Sequence, residues 1–439
     1  MKAYKSLPRF RYFVLASLWL TIIFLYIDRA NISMAAPYIS AELGLTATEM
    51  GIILSIFYWG YMIGQVAGGI VSDKYNIRKW TLILYLTWCV TTLLTGICRT
   101  AGQLAIIRFL FGFGEGAVIN PVTKLQNHWA FPQERGFVNG IYVSSGYIGL
   151  AFGIPIVGWL ISTFDWRTMF YITGSITLVG VFVFWRFVYD HPSDHPRISE
   201  EEKTALKDAL KKDRVNYDPN KPDQKPVSFL GGTKILFSDW TFWVICTAIF
   251  FILGVYFTCF AWIPGFLVME RGLSSVNSGL SLTVPYLSAA AGAIIAGYIG
   301  DKINSRSAVI ILATIFTIPP ILGLFYFKSI EMTVTMLCLM FFFNAAAVSK
   351  FMVITFDLYP AEIIGVALAV EIGLFAGFGG IVGPVLIGYT YDLTGSFFAG
   401  FATMAAGMAV ATAMMIPIYF FERNIKKQKI LKIIPEAAI

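Results

Sequence analysis

Apolar residues run along this chain in twelve long blocks, at 12–37, 49–72, 80–98, 102–128, 137–163, 166–188, 239–267, 276–300, 306–327, 332–356, 364–389 and 395–421, with shorter polar breaks between them. A helix that crosses a bilayer needs roughly 20 mostly apolar residues, and every block has about that length. The pattern predicts an all-α membrane protein of twelve transmembrane spans. The one long polar stretch, 189–238, divides the spans six and six. It opens on His191-Pro-Ser-Asp-His-Pro196, then Ser199-Glu-Glu-Glu202, the signature of a helix capping box. A short amphipathic helix over Lys203–Asp213, with Leu206 and Leu210 on one side, is expected next, then a polar linker without chemistry. The predicted organisation is a six-helix half over 1–188, a cytoplasmic linker over 189–238, a second six-helix half over 239–421 and a basic tail over 422–439.

Composition narrows this picture. Of 439 residues, 57% are hydrophobic and 13% charged, where a soluble domain carries about a quarter charged; the surface is suited to membrane lipid. Cys89, Cys98, Cys246, Cys259 and Cys338 lie in or at the ends of apolar blocks without CxxC spacing, and His128, His191 and His195 show no ligand spacing. Neither a metal, a disulfide framework nor a cofactor is expected. The basic segment Met1–Arg11 before an apolar run is like a signal peptide, but the run is too long and carries Asp28, Arg29 and Asn31, so an uncleaved first span is expected. With the N-terminus inside, the inner segments hold 24 Lys and Arg, and the outer loops hold only Arg99, Arg167, Arg271 and Lys328. The positive-inside rule then places both termini in the cytoplasm and explains the net charge of +7. A nucleic-acid partner would need a basic face on a folded soluble module, and the pattern offers none.

The two halves repeat. At an offset of 228, Glu42-Leu-Gly44-Leu45-Thr46 with Gly51 matches Glu270-Arg-Gly272-Leu273-Ser274 with Gly279. Likewise Gly69-x3-Asp73-Lys74-x-Asn76-x-Arg78 matches Gly297-x3-Asp301-Lys302-x-Asn304-x-Arg306, and Pro132-x-Glu134 matches Pro360-x-Glu362. Six helices per half give the halves the same orientation, a parallel repeat about an axis along the membrane normal. The repeated loop after the second and eighth spans resembles the cytoplasmic signature of the major facilitator superfamily. Gly69 and Gly297 are expected to allow close helix approach. Asp73 and Asp301 are expected to accept bonds from Arg78, Arg306 or a neighbouring helix end, latching one conformation. A basic turn that only obeys the positive-inside rule is the plainer alternative.

Ionisable residues inside the membrane cost roughly 2.5–3.5 kcal/mol on insertion scales and persist where they face a cavity or a partner. Six stand out: Asp28 and Arg29 in span 1, Arg108 and Glu115 in span 4, Lys350 in span 10 and Glu371 in span 11. Arg108 and Glu115, seven apart, share one helix face about 10 Å apart along the axis. Asp28 and Arg29 point about 100° apart, so one can face the centre while the other faces a neighbouring helix.

Tyr26-Ile-Asp28-Arg29-Ala-Asn31, Arg108-x6-Glu115-x8-Lys124, Trp129-x2-Pro132-x-Glu134-Arg135 and Thr283-Val-Pro285-Tyr286 together resemble the anion:cation symporter family within this superfamily, in particular its bacterial sugar-acid members. The resemblance implies proton-coupled symport of a small organic anion such as a hexonate, hexuronate or aldarate, by a monomer in a bacterial inner membrane, with protons as the only coupling ion. It implies that Arg29 binds the substrate carboxylate, with Tyr61, Gln65 and Tyr286 lining the site. It further implies that Asp28 and Glu115 titrate and that Arg108 couples substrate to proton. The physics is compatible. Arginine stays charged and offers a planar fork to a carboxylate, and a buried carboxylate is poised between desolvation and a nearby cation. The structural alternatives are a static Arg108–Glu115 pair, a packing pair at Asp28 and Arg29, and ordinary interhelical bonds from Tyr61 and Gln65.

The chain departs from this family in two places. Gly373 and Gly377 stand where sugar-acid members present asparagines, and Lys350 stands where they carry a small polar residue. Lys350 is read either as a second anion contact, favouring a dicarboxylic acid, or as the partner of Glu371. Gly146, Gly149, Gly153 and Pro155, with Gly377, Gly379, Gly380, Gly383 and Pro384, are read as a rocking interface. Competing functions are an anion exchanger, a sodium-coupled transporter and a transporter-like solute sensor. No nucleophile–base constellation suggests an enzyme.

Overall fold

A computed structural model describes residues 10–215, 229–303, 305–359 and 361–431, with the side chains of 70–74, 133, 136, 137, 139, 143, 211–215, 301, 352, 361, 362 and 425–431 left aside. The described chain is helical throughout, without a strand. The first six spans are α1 (Phe10–Leu43), α2 (Ala47–Lys74), α3 (Ile77–Thr95), α4 (Ala101–Trp129), α5 (Arg135–Thr163) and α6 (Trp166–Phe187). Two short helices follow, α7 (Glu200–Val215) and α8 (Phe229–Phe237). The second set is α9 (Trp240–Met269), α10 (Ser275–Ile303), α11 (Arg306–Tyr326), α12 (Ile330–Leu358), α13 (Ala361–Leu368), a π-helical segment Ala369–Ala376, α14 (Gly377–Thr394) and α15 (Phe398–Leu431). Eleven of the described helical runs are long and apolar enough to cross a membrane, the α13–π–α14 run counted as one. The twelfth, α3, has 19 residues and opens on Arg78 and Lys79, which lower its apolar character. The chain is an integral membrane protein.

The repeat has a physical basis in the breaks between helices. Gly44 and Gly272, 228 apart, both adopt left-handed backbone, at φ 65° and 67°, a conformation glycine reaches without a Cβ penalty just past a helix end. The residues after them cap the next helix. Thr46 Oγ1 accepts from Glu49 N at 3.1 Å while Glu49 Oε2 accepts from Thr46 N at 2.9 Å, a reciprocal capping box. Its counterpart Ser274 Oγ accepts from Asn277 N at 3.2 Å.

The chain forms two compact units. The first is Met1–Lys225 with Ile263–Thr283, and the second is Pro226–Trp262 with Val284–Ile439. The α9–α10 junction belongs to the first unit because small residues let it sit tightly there: a Cβ on Gly158 would collide with the Ser275 carbonyl, and one on Gly279 with the Ile154–Pro155 backbone.

Within the first unit, α2 and α4 are locked by a glycine ladder. A Cβ on Gly60, Gly64 or Gly68 would strike the backbone of Phe109, Phe113 or Ala117, and one on Gly112 or Gly116 would strike Phe57 or Tyr61. The expected roles of other glycines change accordingly. Gly69 meets only the Asn120 side chain, at 3.6 Å, and Gly297 meets nothing within 4 Å, so close approach rests on the glycines upstream of the motif. Gly146, Gly149 and Gly153 seat α5 on Tyr26, Ile23 and Ile27 of α1, and Gly379 and Gly383 seat α14 on Phe250, Gly254 and Thr258 of α9. Both sets pack helices inside one unit, and the Pro155 backbone also lies where a Cβ on Gly279 of α10 would stand.

The segment after α6 is more than a linker. Ser199 Oγ accepts from Glu202 N at 3.2 Å, as a capping box requires, but the Glu202 carboxylate turns away. It is fully buried and accepts from Phe10 N, Arg11 N and Arg11 Nη1 at 3.1, 3.3 and 3.0 Å. Arg11 Nη2 also pairs with Glu134 at 3.1 Å. A carboxylate at a helix N-terminus complements both unpaired N–H groups and the macrodipole, so α7 is docked on the start of α1. The expected linker through Lys225 lies outside the described residues beyond Val215.

Candidate functional site

The glycine ladder sets the site in the first unit. Close packing of α2 on α4 puts Phe57, Tyr58 and Tyr61 beside Arg108 and Glu115, and α1 adds Tyr26, Asp28 and Arg29. Arg29 Nη1 donates to Glu115 Oε1 at 2.8 Å, an ion pair in which the two residues are 6% and 2% exposed. Arg29 Nη2 reaches Tyr58 Oη at 3.4 Å. The alternative of a static Arg108–Glu115 pair is not met: the cation in contact with Glu115 is Arg29, from a different helix. Glu115 Oε2 is buried without a hydrogen-bond partner among the described residues.

Phe57 carries two cations. The guanidinium carbons of Arg29 and Arg108 each lie 5.0 Å from its ring centroid, where the ring's negative face favours positive charge. Arg108 also lies 5.1 Å from the Phe111 ring, and its buried Nε has no partner among the described residues. The cluster thus holds two guanidinium groups against one carboxylate in contact. Tyr61 packs on Phe57 with centroids 5.9 Å apart and lies within range of the Arg29 and Glu115 charges. Gln65, one turn on, presents its backbone carbonyl to Asn120 Nδ2 at 3.2 Å.

Asp28 faces the other way. Its Oδ2 accepts from Thr177 Oγ1 at 2.7 Å and its Oδ1 from Asn31 Nδ2 at 3.3 Å, while Asn31 also donates to Thr173 Oγ1 at 2.8 Å. Adjacent residues on α1 therefore serve two neighbours, Arg29 toward α4 and Asp28 toward α6. The signal for Asp28's partners lay in the i,i+3 and i,i+4 spacings of Asp28–Asn31 and Thr173–Thr177 on facing helices. Tyr58 and Phe57 are missed by charge-based reading because an aromatic beside an arginine is ordinary in an apolar span.

The remaining predicted residues belong to the second unit. Tyr286 is fully buried against Phe341 and Phe260, with centroids 5.0 and 6.3 Å away. Lys350 is 4% exposed and donates from Nζ to the Gly297 carbonyl at 3.0 Å. Glu371 is fully buried and accepts from Thr355 Oγ1 at 2.8 Å. No ion pair joins Lys350 to Glu371 among the described residues, which corrects the reading that they neutralise each other.

The motif arginines sit at matched helix starts. Arg78 N donates to Asp190 Oδ1, beyond the end of α6, and its guanidinium reaches the Trp185 carbonyl and stacks 4.0 Å from the Tyr189 ring centroid. Arg306 N donates to Glu422 Oε1 on α15 at 3.1 Å, and Arg306 Nε pairs with Asp357 at 3.4 Å. Each half thus ties the start of its third span to the end of its sixth. The side chains of Asp73 and Asp301 lie outside the described residues.

Comparison with known proteins agrees with this architecture. The family model described as "Major Facilitator Superfamily" matches residues 18–370 and again 274–435. A hexuronate transporter of Bacillus subtilis (strain 168) is 28% identical, covering 92% of this chain and 93% of its own. A probable galactarate/D-glucarate transporter of Escherichia coli (strain K12) is 29% identical, covering 96% and 97%. Among solved structures, a bacterial homologue of the human lysosomal transporter Spinster, in an inward-facing and unoccupied conformation, shares the fold with a TM-score of 0.73 at 15% identity, over 94% of this chain and 96% of that one. The chain is therefore a membrane transporter, not an enzyme, and it belongs to the Major Facilitator Superfamily.

Proposed function

We propose that this protein is a proton-coupled symporter of a small organic anion of the sugar-acid class, working by alternating access. The observation that carries the reading is the buried Arg29–Glu115 pair, with Arg108 close by on the same aromatic ring. Arg29 cannot serve Glu115 and a substrate carboxylate equally, since both seek the same fork. When Glu115 takes a proton it gives up its claim on Arg29, and the substrate carboxylate replaces it. One negative charge and one proton then arrive together, and the buried site keeps its net charge. This is the condition for coupling in a medium where an uncompensated charge is costly. Arg108 holds the site one positive charge in excess, which attracts an anion and keeps Glu115 ionised while the site is empty. Asp28, hydrogen-bonded to Asn31 and Thr177, is the second proton group of this reading.

The sugar-acid class rests on the names of the relatives, which include hexuronate, galactarate/D-glucarate and D-galactonate transporters. Tyr61 and Gln65 line the site on α2. Residence as a monomer in a bacterial inner membrane belongs to the same proposal, as does a cytoplasmic place for both termini, which the asymmetry of Lys and Arg along the sequence supports. The test is acidification inside proteoliposomes that hold a pH-sensitive dye, on adding hexonates, hexuronates and aldarates one at a time. Acidification by one compound that disappears in Glu115→Gln is the expected result. Entry of labelled solute without acidification overturns proton symport in favour of exchange or another coupling ion.

A further inference from the structure

The chemistry described so far leaves one buried acid unused, Glu371. It is fully buried, at 0% exposure, in the second unit. Its Oε2 accepts from Thr355 Oγ1 of α12 at 2.8 Å, and its Oε1 is buried without a hydrogen-bond partner among the described residues. No described cation pairs with it. Lys350, the buried cation of the same unit, is directed to the Gly297 carbonyl of α10. Arg306 is engaged by Asp357 at the start of α11. The titratable groups within range of its charge are Cys246 of α9 and Tyr359 at the end of α12, and Tyr359 in turn meets Thr241 beside Asp239. None of these is a cation.

An ionised carboxylate in such a place would have, among the described residues, one hydroxyl donor and nothing else to replace its hydration. Buried charges are otherwise paired or neutralised. The neutral acid fits the site, with its carbonyl oxygen on Thr355 and its proton on Oε1. The backbone adds a second, independent observation. Glu371 is the third residue of the π-helical segment Ala369–Ala376, which interrupts the span between α13 and α14. π-helical turns mark functional positions more often than ordinary ones because the displaced bond ladder can shift by one residue. The corresponding stretch of the first half, 141–148, lies within the regular helix α5, and position 143 is valine. Both the acid and the backbone irregularity thus belong to the second half alone.

We propose that Glu371 is a proton-binding site of the second unit, holding its proton on Oε1 in this conformation and releasing it when the π-helical segment rearranges. The residue lies ten positions into its span, about 15 Å along a helix axis from Ala361, and rearrangement of the segment is what would bring water to it. The link to transport rests on the proton-coupled reading above; the protonation itself does not. Release there would make conversion between conformations depend on the pH of one compartment, separately from the substrate-linked proton on Glu115.

The experiment is infrared difference spectroscopy of the full-length protein in lipid through a pH titration. A protonated-carboxyl stretch at neutral pH that is absent in Glu371→Gln and present in Glu115→Gln is the expected result. Glutamine mimics the neutral acid in size and polarity and should leave thermal stability close to that of the unaltered protein. If Glu371→Gln does not fold, Thr355→Val decides: loss of the hydroxyl should move the same band to higher frequency. A spectrum unaltered by either substitution overturns the proposal, as does a band removed by sodium at constant pH. Absence of substrate-driven acidification with the Glu371 band intact would remove the symport reading alone, and acidification without that band would remove the proton site alone.

Discussion

Replacing Glu115 by glutamine separates an exchangeable ion pair from a static one. The substitution keeps volume and leaves one oxygen to accept from Arg29, but it removes the charge that now sits 2.8 Å from Nη1. Breaking a buried pair at one partner costs about 3–5 kcal/mol, chiefly because the other charge is stranded. The amide oxygen recovers part of this, so about 3 kcal/mol is expected in the empty protein. If a substrate carboxylate takes the place of Glu115, that deficit vanishes on binding. At 1.4 kcal/mol per tenfold, the variant should bind substrate up to about a hundredfold more tightly. It should do so without the pH dependence that Glu115 contributes, since that competing group no longer ionises. Thermal unfolding of the empty variant should fall below that of the unaltered protein, and saturating substrate should close the gap. Calorimetric titration and thermal shift measure both arms with the solute that passes the acidification screen. Gradient-driven uptake should be lost while exchange of labelled for unlabelled substrate continues. Weaker binding in Glu115→Gln, or a stability deficit that substrate leaves unchanged, would refute the exchange of partners and leave a static pair.

Other expectations follow from the packing. Gly112→Val should destabilise by about 1–3 kcal/mol, because its Cβ collides with the Phe57 backbone, whereas Gly297→Ala, with nothing within 4 Å, should fall within about 0.5 kcal/mol of the parent; thermal unfolding in detergent reads both. Glu202→Ala should cost about 2 kcal/mol and expose the 200–215 helix to protease, since it strips the acceptor from two backbone N–H groups and one side of Arg11; unchanged proteolysis would show that α7 is held by its apolar side alone. Asp165 caps α6 by accepting from Thr168 N at 2.8 Å, and that bond holds its carboxyl below the ordinary range. A depressed folded value means the stabilisation is complete above the unfolded pKa and is lost as pH falls through the folded one. Asp165→Ala should therefore cost about 1 kcal/mol at neutral pH and progressively less below about pH 4.

Much of this was legible in the residues, for physical reasons that also mark where legibility ends. Spans and halves could be read because lipid tolerates few polar residues, and Gly44 and Gly272 because a left-handed helix exit favours glycine. Asp28, Arg29, Arg108 and Glu115 stood out because a charge in an apolar block needs a reason. Which of them pair did not stand out. Arg29 and Glu115 are 86 positions apart, and their contact depends on how α1 packs beside the α2–α4 ladder. That ladder is itself written in the i,i+4 spacings Gly60–Gly64–Gly68 and Gly112–Gly116, a signal as strong as the glycines of α5 and α14. Glu202 shows local and tertiary demands in competition: the capping box is a local pattern, and two bare N–H groups on α1 outbid half of it. The π-helical segment has no counterpart in residue pattern, since one displaced rung in a hydrogen-bond ladder leaves apolar periodicity almost unaltered.

The repeat also indicates how labour is divided. What recurs at an offset of 228 is frame: the left-handed glycines, the caps after them, and the arginine N–H groups held by Asp190 and Glu422. What does not recur is any Asp, Glu, Lys or Arg inside the membrane. The counterparts of Asp28, Arg29, Arg108 and Glu115 are Tyr256, Phe257, Met336 and Phe343, and those of Lys350 and Glu371 are Val122 and Val143. Under the alternating access proposed above, a frame of two matched bodies gains from symmetry. A buried charge is costly wherever it stands, so a duplicated one would double the penalty without adding a site. The Arg29–Glu115 pair in one half and the isolated Glu371 in the other are thus separate devices on a common scaffold, and substitutions in one should leave the ionisation of the other unchanged.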